Sequence, residues 1–156
     1  MTSTLAFQAL APDRPTPPDR AARSSARVGD AAVAARPILV VDDDPEILAM
    51  LRDFLESEGL AVRTAANGAE ALEALDDVAP ALILLDMRMP VLDGWAFAKR
   101  LHERALTYPI VVMTAAESAR RWAEEIGATG YIAKPFDVNE LLEMIERHRQ
   151  KDSQPN

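Results

Sequence analysis

A doubly wound α/β fold, a five-stranded parallel sheet with helices on both faces, is predicted for residues 36–149. Three observations predict it. Short apolar runs alternate with segments whose apolar residues recur at helical spacing. Five such strand–helix units follow one another, which implies parallel pairing through right-handed crossovers. Acidic, hydroxyl or basic side chains stand just after four of the runs, where open α/β sheets bind their ligands.

The first run, Ile38–Val41, is apolar throughout, as a strand covered on both faces must be. It ends in Asp42, Asp43 and Asp44. Pro45 then fits a first helical turn, where its missing N–H is no loss, with Asp44 as the cap. Ile47, Leu48, Leu51, Phe54 and Leu55 form the apolar stripe of that helix, and Gly59 closes it. Residues 60–65 read as the second strand. Asn67 and Glu70 resemble a capping box ahead of a helix whose inner face is Ala71, Leu72 and Leu75. Pro80 breaks the chain. Residues 81–85 form the most apolar run, expected at the centre of the sheet, and lead into Asp86. A loop with Pro90 precedes a helix over 93–104, with Phe97 and Leu101 on one face. Residues 110–113 make the fourth strand and end at Thr114. A short helix over 117–126 stops at Gly127. Residues 130–133 form the fifth strand and lead to Lys134 and Pro135. Asp137 and Glu140 cap the last helix, whose apolar face is Val138, Leu141, Leu142 and Ile145. The strand order does not follow from these patterns.

The flanks read differently. Residues 1–35 form a leader rich in Pro, Ala and Arg without helical or strand periodicity, expected to be disordered. It serves either as a dispensable tail or as an arm that binds a partner or touches nucleic acid. Residues 150–156 read as a polar tail. A formal charge of −8 argues against nucleic-acid or anionic-membrane binding over the whole surface. The chain has no cysteine, which removes disulfides, thiolate chemistry and Cys-ligated zinc. His102 and His148 each stand alone in helical stretches and read as surface residues. No apolar stretch approaches the length of a membrane span, and prolines interrupt the N-terminus where a signal peptide would need an apolar core. A cytoplasmic location is expected.

The residues after the strands carry the chemistry. Asp42 and Asp43 follow the first, Asp86 the third, Thr114 the fourth and Lys134 the fifth. Taken singly, an Asp at a strand end is often a turn former, and a lysine before proline often faces solvent. Their joint placement points to a site. Converging carboxylates repel one another unless a cation compensates. An all-oxygen set suits Mg²⁺, and no EF-hand spacing favours calcium. A carboxylate can act as a nucleophile and form an acyl phosphate. The metal and Lys134 would stabilise charge on the transferred group, and Thr114 would donate its hydroxyl to it. Asp86 is the better nucleophile because its strand is the most apolar, and Asp42 and Asp43 the better metal holders.

Four stretches, residues 38–45, 84–94, 112–115 and 134–136, resemble in order and spacing the receiver domain of bacterial two-component response regulators. The resemblance implies a flavodoxin-like strand order 2-1-3-4-5. It implies Mg²⁺ held by Asp42, Asp43, Asp86 and the backbone carbonyl of Arg88. Asp86 would take phosphate from a sensor histidine kinase or a histidine phosphotransfer protein, with Thr114 and Lys134 on the phosphoryl group. Tyr131 matches the aromatic position that turns inward on activation, and the Lys134–Pro135 bond is expected to be cis. Two departures stand out. Thr114 and Lys134 are closer in sequence than in many family members, which shortens the loop or helix between them. Arg88 and Ala116 occupy the variable positions beside the site, where Arg88 either reaches over the phosphoryl group or points into solvent.

No recognition module follows residue 149, so the expectation is a stand-alone phosphorelay receiver that signals by protein contact. The alternatives are a phosphate sink without its own output, a metal-dependent aspartyl-phosphate phosphatase, and a docking protein independent of phosphorylation. The phosphatase needs a second general acid and a substrate cap, and the sequence offers neither. Trp122 and Trp95 each admit two readings: helix packing, or contact with an output partner or the kinase.

Overall fold

The computed structural model describes residues 36–115 and 117–152. The expectations for residues 1–35, for Ala116 and for the end of the polar tail fall outside those residues.

Five strands, β1 (Ile38–Val41), β2 (Val62–Ala65), β3 (Leu82–Asp86), β4 (Ile110–Ala115) and β5 (Gly130–Lys134), alternate with five helices, α1 (Pro45–Ser57), α2 (Gly68–Asp77), α3 (Gly94–Glu103), α4 (Ala119–Ile126) and α5 (Val138–Asp152). All pairs are parallel, in the order β2-β1-β3-β4-β5. This is the expected flavodoxin-like order, and it puts the most apolar strand at the centre.

Strand side chains alternate between faces, which divides the core in two. Leu39, Val41, Ile83, Leu85 and Val112 pack with Ala71 and Ala74 of α2, Phe97 and Leu101 of α3, and Trp122 of α4. Ile38, Val40, Leu82, Leu84, Val111 and Met113 pack with Leu51 and Leu55 of α1 and Leu141 and Ile145 of α5. Because both faces are covered, β1 and β3 cannot alternate apolar with polar residues. The edge strand β2 can, and its Arg63 is exposed.

Four boundaries differ from the sequence reading by two residues or more; one is β4, which runs past Met113 to Ala115 and so takes in Thr114. β2 starts at Val62 rather than at residue 60 because helix α1 claims the Leu60 amide. Leu60 N–H donates to Leu55 O at 3.0 Å and Gly59 N–H to Glu56 O at 3.0 Å, the paired bonds of a Schellman ending, with Gly59 at φ +81°. α4 begins at Ala119 rather than 117, and at 8 residues it is the shortest described helix. α5 continues to Asp152, past the boundary drawn at 149. Arg149 and Lys151 in its last turn complement the negative end of the helix dipole.

Candidate functional site

The three consecutive aspartates after β1 divide the labour. Asp44 caps α1, its carboxylate accepting from Glu46 N–H at 2.9 Å. Asp42 is fully buried. One of its oxygens accepts from Asp44 N–H at 2.9 Å, and the other accepts from Lys134 Nζ at 2.6 Å. Asp43, between them, is exposed.

Asp86 ends the central strand and is 7% exposed. The loop behind it is held by a close approach at Gly94, whose N–H donates to Met87 O at 3.0 Å. A Cβ there would fall 2.8 Å from Met87 Cα and 3.0 Å from Asp86 O, so this position excludes any side chain without a shift of the loop. Further round, Leu92 N–H closes a three-residue turn on Pro90 O at 2.8 Å, with Val91 at φ +69°.

One carboxylate oxygen from each of Asp42, Asp43 and Asp86 lies within 4.8 Å of the others. Lys134 Nζ is also 3.8 Å from Asp86, and the Lys134–Pro135 bond is cis. The Asp86 carboxyl is pushed up to about 6, chiefly by burial. Lys134 pulls it down, Asp42 pushes it up, a hydrogen bond from the Arg88 backbone lowers it, and Asp43 adds a smaller upward push. The donor set is all oxygen, and its charges disfavour one another without a cation. Both properties fit a hard divalent ion.

Thr114 is 4% exposed. Register places it one residue beyond Met113, the partner of Asp86, and opposite Ala133 on β5. Tyr131 pairs with Val112, so alternation puts it on the same sheet face as Thr114, and its side chain is 44% exposed. The fold thus gathers Asp42, Asp43, Asp86 and Lys134 directly. Thr114 stands on the neighbouring strand end, and Tyr131 lies outward along β5.

Sequence reasoning named Arg88, Trp95 and Trp122 separately and missed that they meet. The Arg88 guanidinium lies 5.1 Å from the centroid of the Trp122 ring while the residue stays exposed, so it rests against an aromatic face at the surface. Trp122 is 7% exposed and packs in the core, which selects the packing reading for it. Trp95 meets Trp122 edge-on at 4.8 Å. No short-range signal joins residues so far apart in sequence.

The fold and site define a class: a doubly wound α/β protein with an acidic, cation-fitting pocket at the carboxyl end of its sheet. Residues 38–146 match the response regulator receiver domain, and the chain belongs to that family. It is 41% identical over 123 residues to the DNA-binding transcriptional regulator NtrC of Escherichia coli K12, a match covering 76% of this chain and 26% of that protein. The chain therefore corresponds to about a quarter of the length of that relative. Among solved structures, the receiver domain of the Francisella response regulator 1452 superposes with a TM-score of 0.70 at 28% identity, covering 76% of this chain and 99% of that one. The response regulator TrrA from Thermotoga maritima, in complex with Mg²⁺ and BeF, superposes with a TM-score of 0.65 at 31% identity, covering 72% and 98%. Among the described residues no helix is long and apolar enough to cross a membrane.

Proposed function

We propose that this receiver takes a phosphoryl group from a histidine kinase or a histidine phosphotransfer protein onto Asp86, with Mg²⁺ as cofactor, and signals by protein contact. The observation that carries the reading is the convergence of three carboxylates within 4.8 Å beside Lys134. A bound Mg²⁺ would supply positive charge to offset the carboxylates and the incoming phosphoryl oxygens. Asp42, Asp43, Asp86 and the backbone carbonyl of Arg88 would hold it.

In this reading an Asp86 oxygen attacks phosphorus. The O–P bond forms as the N–P bond of the donor phosphohistidine breaks, and the donor imidazole leaves. Lys134, already anchored on Asp42 at 2.6 Å, steers its ammonium toward the transferred oxygens rather than into solvent. Thr114 donates its hydroxyl to the phosphoryl group, and Tyr131 moves inward into the space vacated. The domain comprises residues 36–149 with the final turn of α5, between a leader and a tail, and a cytoplasmic location suits donors that are loaded from ATP. TrrA's complex with Mg²⁺ and BeF supports the choice of cofactor.

The test is incubation with acetyl phosphate and acid-stable readout by intact mass. Wild type gains one phosphoryl mass only with Mg²⁺, and Asp86→Ala gains none. Incorporation that survives Asp86→Ala, or that ignores Mg²⁺, would refute the assignment. Sustained turnover of added phosphomonoesters would favour the phosphatase alternative instead.

A further inference from the structure

Arg88 stands two residues after Asp86 in the loop that follows β3, and its guanidinium lies 5.1 Å from the centroid of the Trp122 ring on α4, within cation–π range. Trp122 is itself fixed. Trp95, in the first turn of α3, meets it at 4.8 Å with the rings inclined at 71°. The Trp95 indole N–H donates to Glu125 of α4 at 2.9 Å, and Arg121 donates to the other oxygen of that carboxylate at 3.1 Å. Together these two donors hold the Glu125 carboxyl below its ordinary range, the indole contributing most. The Arg88 side chain, by contrast, is exposed, so packing does not force it onto the ring. Its seat is set by competition between an aromatic face and any better anion within reach.

A phosphoryl group on Asp86 would be that anion. It carries a charge of about −1.5 to −2 in place of the single carboxylate charge, spread over three strong acceptor oxygens, two residues from Arg88. Paired guanidinium–phosphate hydrogen bonds are stronger than a face contact to an indole. We propose that Arg88 is a positioning residue that latches α4 to the acceptor loop through Trp122, and that loading of Asp86 draws its guanidinium off the ring and removes that one tie, loosening α4. The proposal rests on Asp86 being the acceptor. It adds a route from the acceptor to α4 that passes through neither Thr114 on β4 nor Tyr131 on β5. Because coupling is reciprocal, a partner that engages α4 and displaces Trp122 from Arg88 would stabilise the loaded state.

The full chain contains two tryptophans, Trp95 and Trp122, so its indole N–H signals in a ¹H–¹⁵N spectrum number two and are assigned by Trp95→Phe. The probe is beryllofluoride with Mg²⁺, and ¹⁹F signals report its binding independently of the rings. In wild type, binding moves the Trp122 indole signal. In Arg88→Ala that signal starts near its loaded position and moves little, and Arg88→Lys restores part of the shift. Arg88→Ala weakens beryllofluoride binding about three- to tenfold, and Trp122→Leu tightens it by a similar factor only while Arg88 is present. Bound fluoride with an unmoved Trp122 signal in wild type, or the same movement in Arg88→Ala, would overturn the latch and leave the acceptor assignment intact. Absence of any bound fluoride in wild type would defeat both.

Discussion

Asp86 is held at odds with its own charge. Burial and two neighbouring carboxylates outweigh the help of Lys134, and its carboxyl is pushed up to about 6 from the ordinary 3.8. With the folded value raised, the native state binds more protons than the unfolded chain between those values. Metal-free stability therefore falls as pH rises from about 4 to 6 and stays reduced above that window. Asp86→Asn removes the ionisation and keeps the shape. We predict that urea unfolding finds the variant and wild type equal near pH 4, and the variant more stable by about 1–2 kcal/mol at pH 7, allowing for the water that reaches the carboxylate. A variant less stable than wild type at pH 7 would contradict the charge frustration. The sequence revealed the types and order of these residues, because strand ends are legible from apolar runs. It could not reveal that Asp42 is buried with Lys134 on it while Asp43 faces water, because that depends on which way a turn closes.

Among the elements, helix endings separate what a chain states from what it leaves unstated. α1 and α4 end on Gly59 and Gly127, both at positive φ, and both stops were readable. α3 ends by the same hydrogen bonds without the signal. Ala105 N–H donates to His102 O at 3.0 Å and Leu106 N–H to Leu101 O at 2.9 Å, with Ala105 at φ +54°. An alanine in that left-handed conformation costs about 1 kcal/mol relative to glycine, and Ala105 is exposed, so little packing would be lost. Ala105→Gly should raise stability by about 0.5–1 kcal/mol, read as a higher urea midpoint with an unchanged slope. A lower midpoint would mean that the added freedom of the unfolded chain outweighs the relieved strain. The capping box of α2 shows a smaller displacement of the same kind. Asn67 accepts from Glu70 N–H as expected, but the Glu70 carboxylate accepts from Ala66 N–H, one residue further back. Side-chain reach of that order is not written in residue spacing.

At the scale of the molecule, strand order was legible only through the family resemblance, since alternating units fit several orders and packing selects among them. The formal charge of −8 likewise says nothing of where charge is concentrated; register places three carboxylates together. That concentration makes the whole fold a reporter of the ion. A ligand bound only by the native state stabilises it by about 2.7 kcal/mol at a hundredfold excess over Kd. For a domain of this size, Mg²⁺ should therefore raise Tm by about 5–10 °C near pH 7.5. Sodium chloride of equal ionic strength should do much less, because screening acts on exposed charges and this cluster is largely buried. As pH falls below about 6, Asp86 takes up a proton that the ion must displace, so the Mg²⁺ shift should shrink between pH 7 and 5. Asp86→Asn should start with a higher metal-free Tm and gain less from Mg²⁺, because it has lost both the repulsion and a ligand. An equal gain in wild type and variant, or a gain that NaCl reproduces, would place the effect on general charge screening rather than on an ion among Asp42, Asp43 and Asp86.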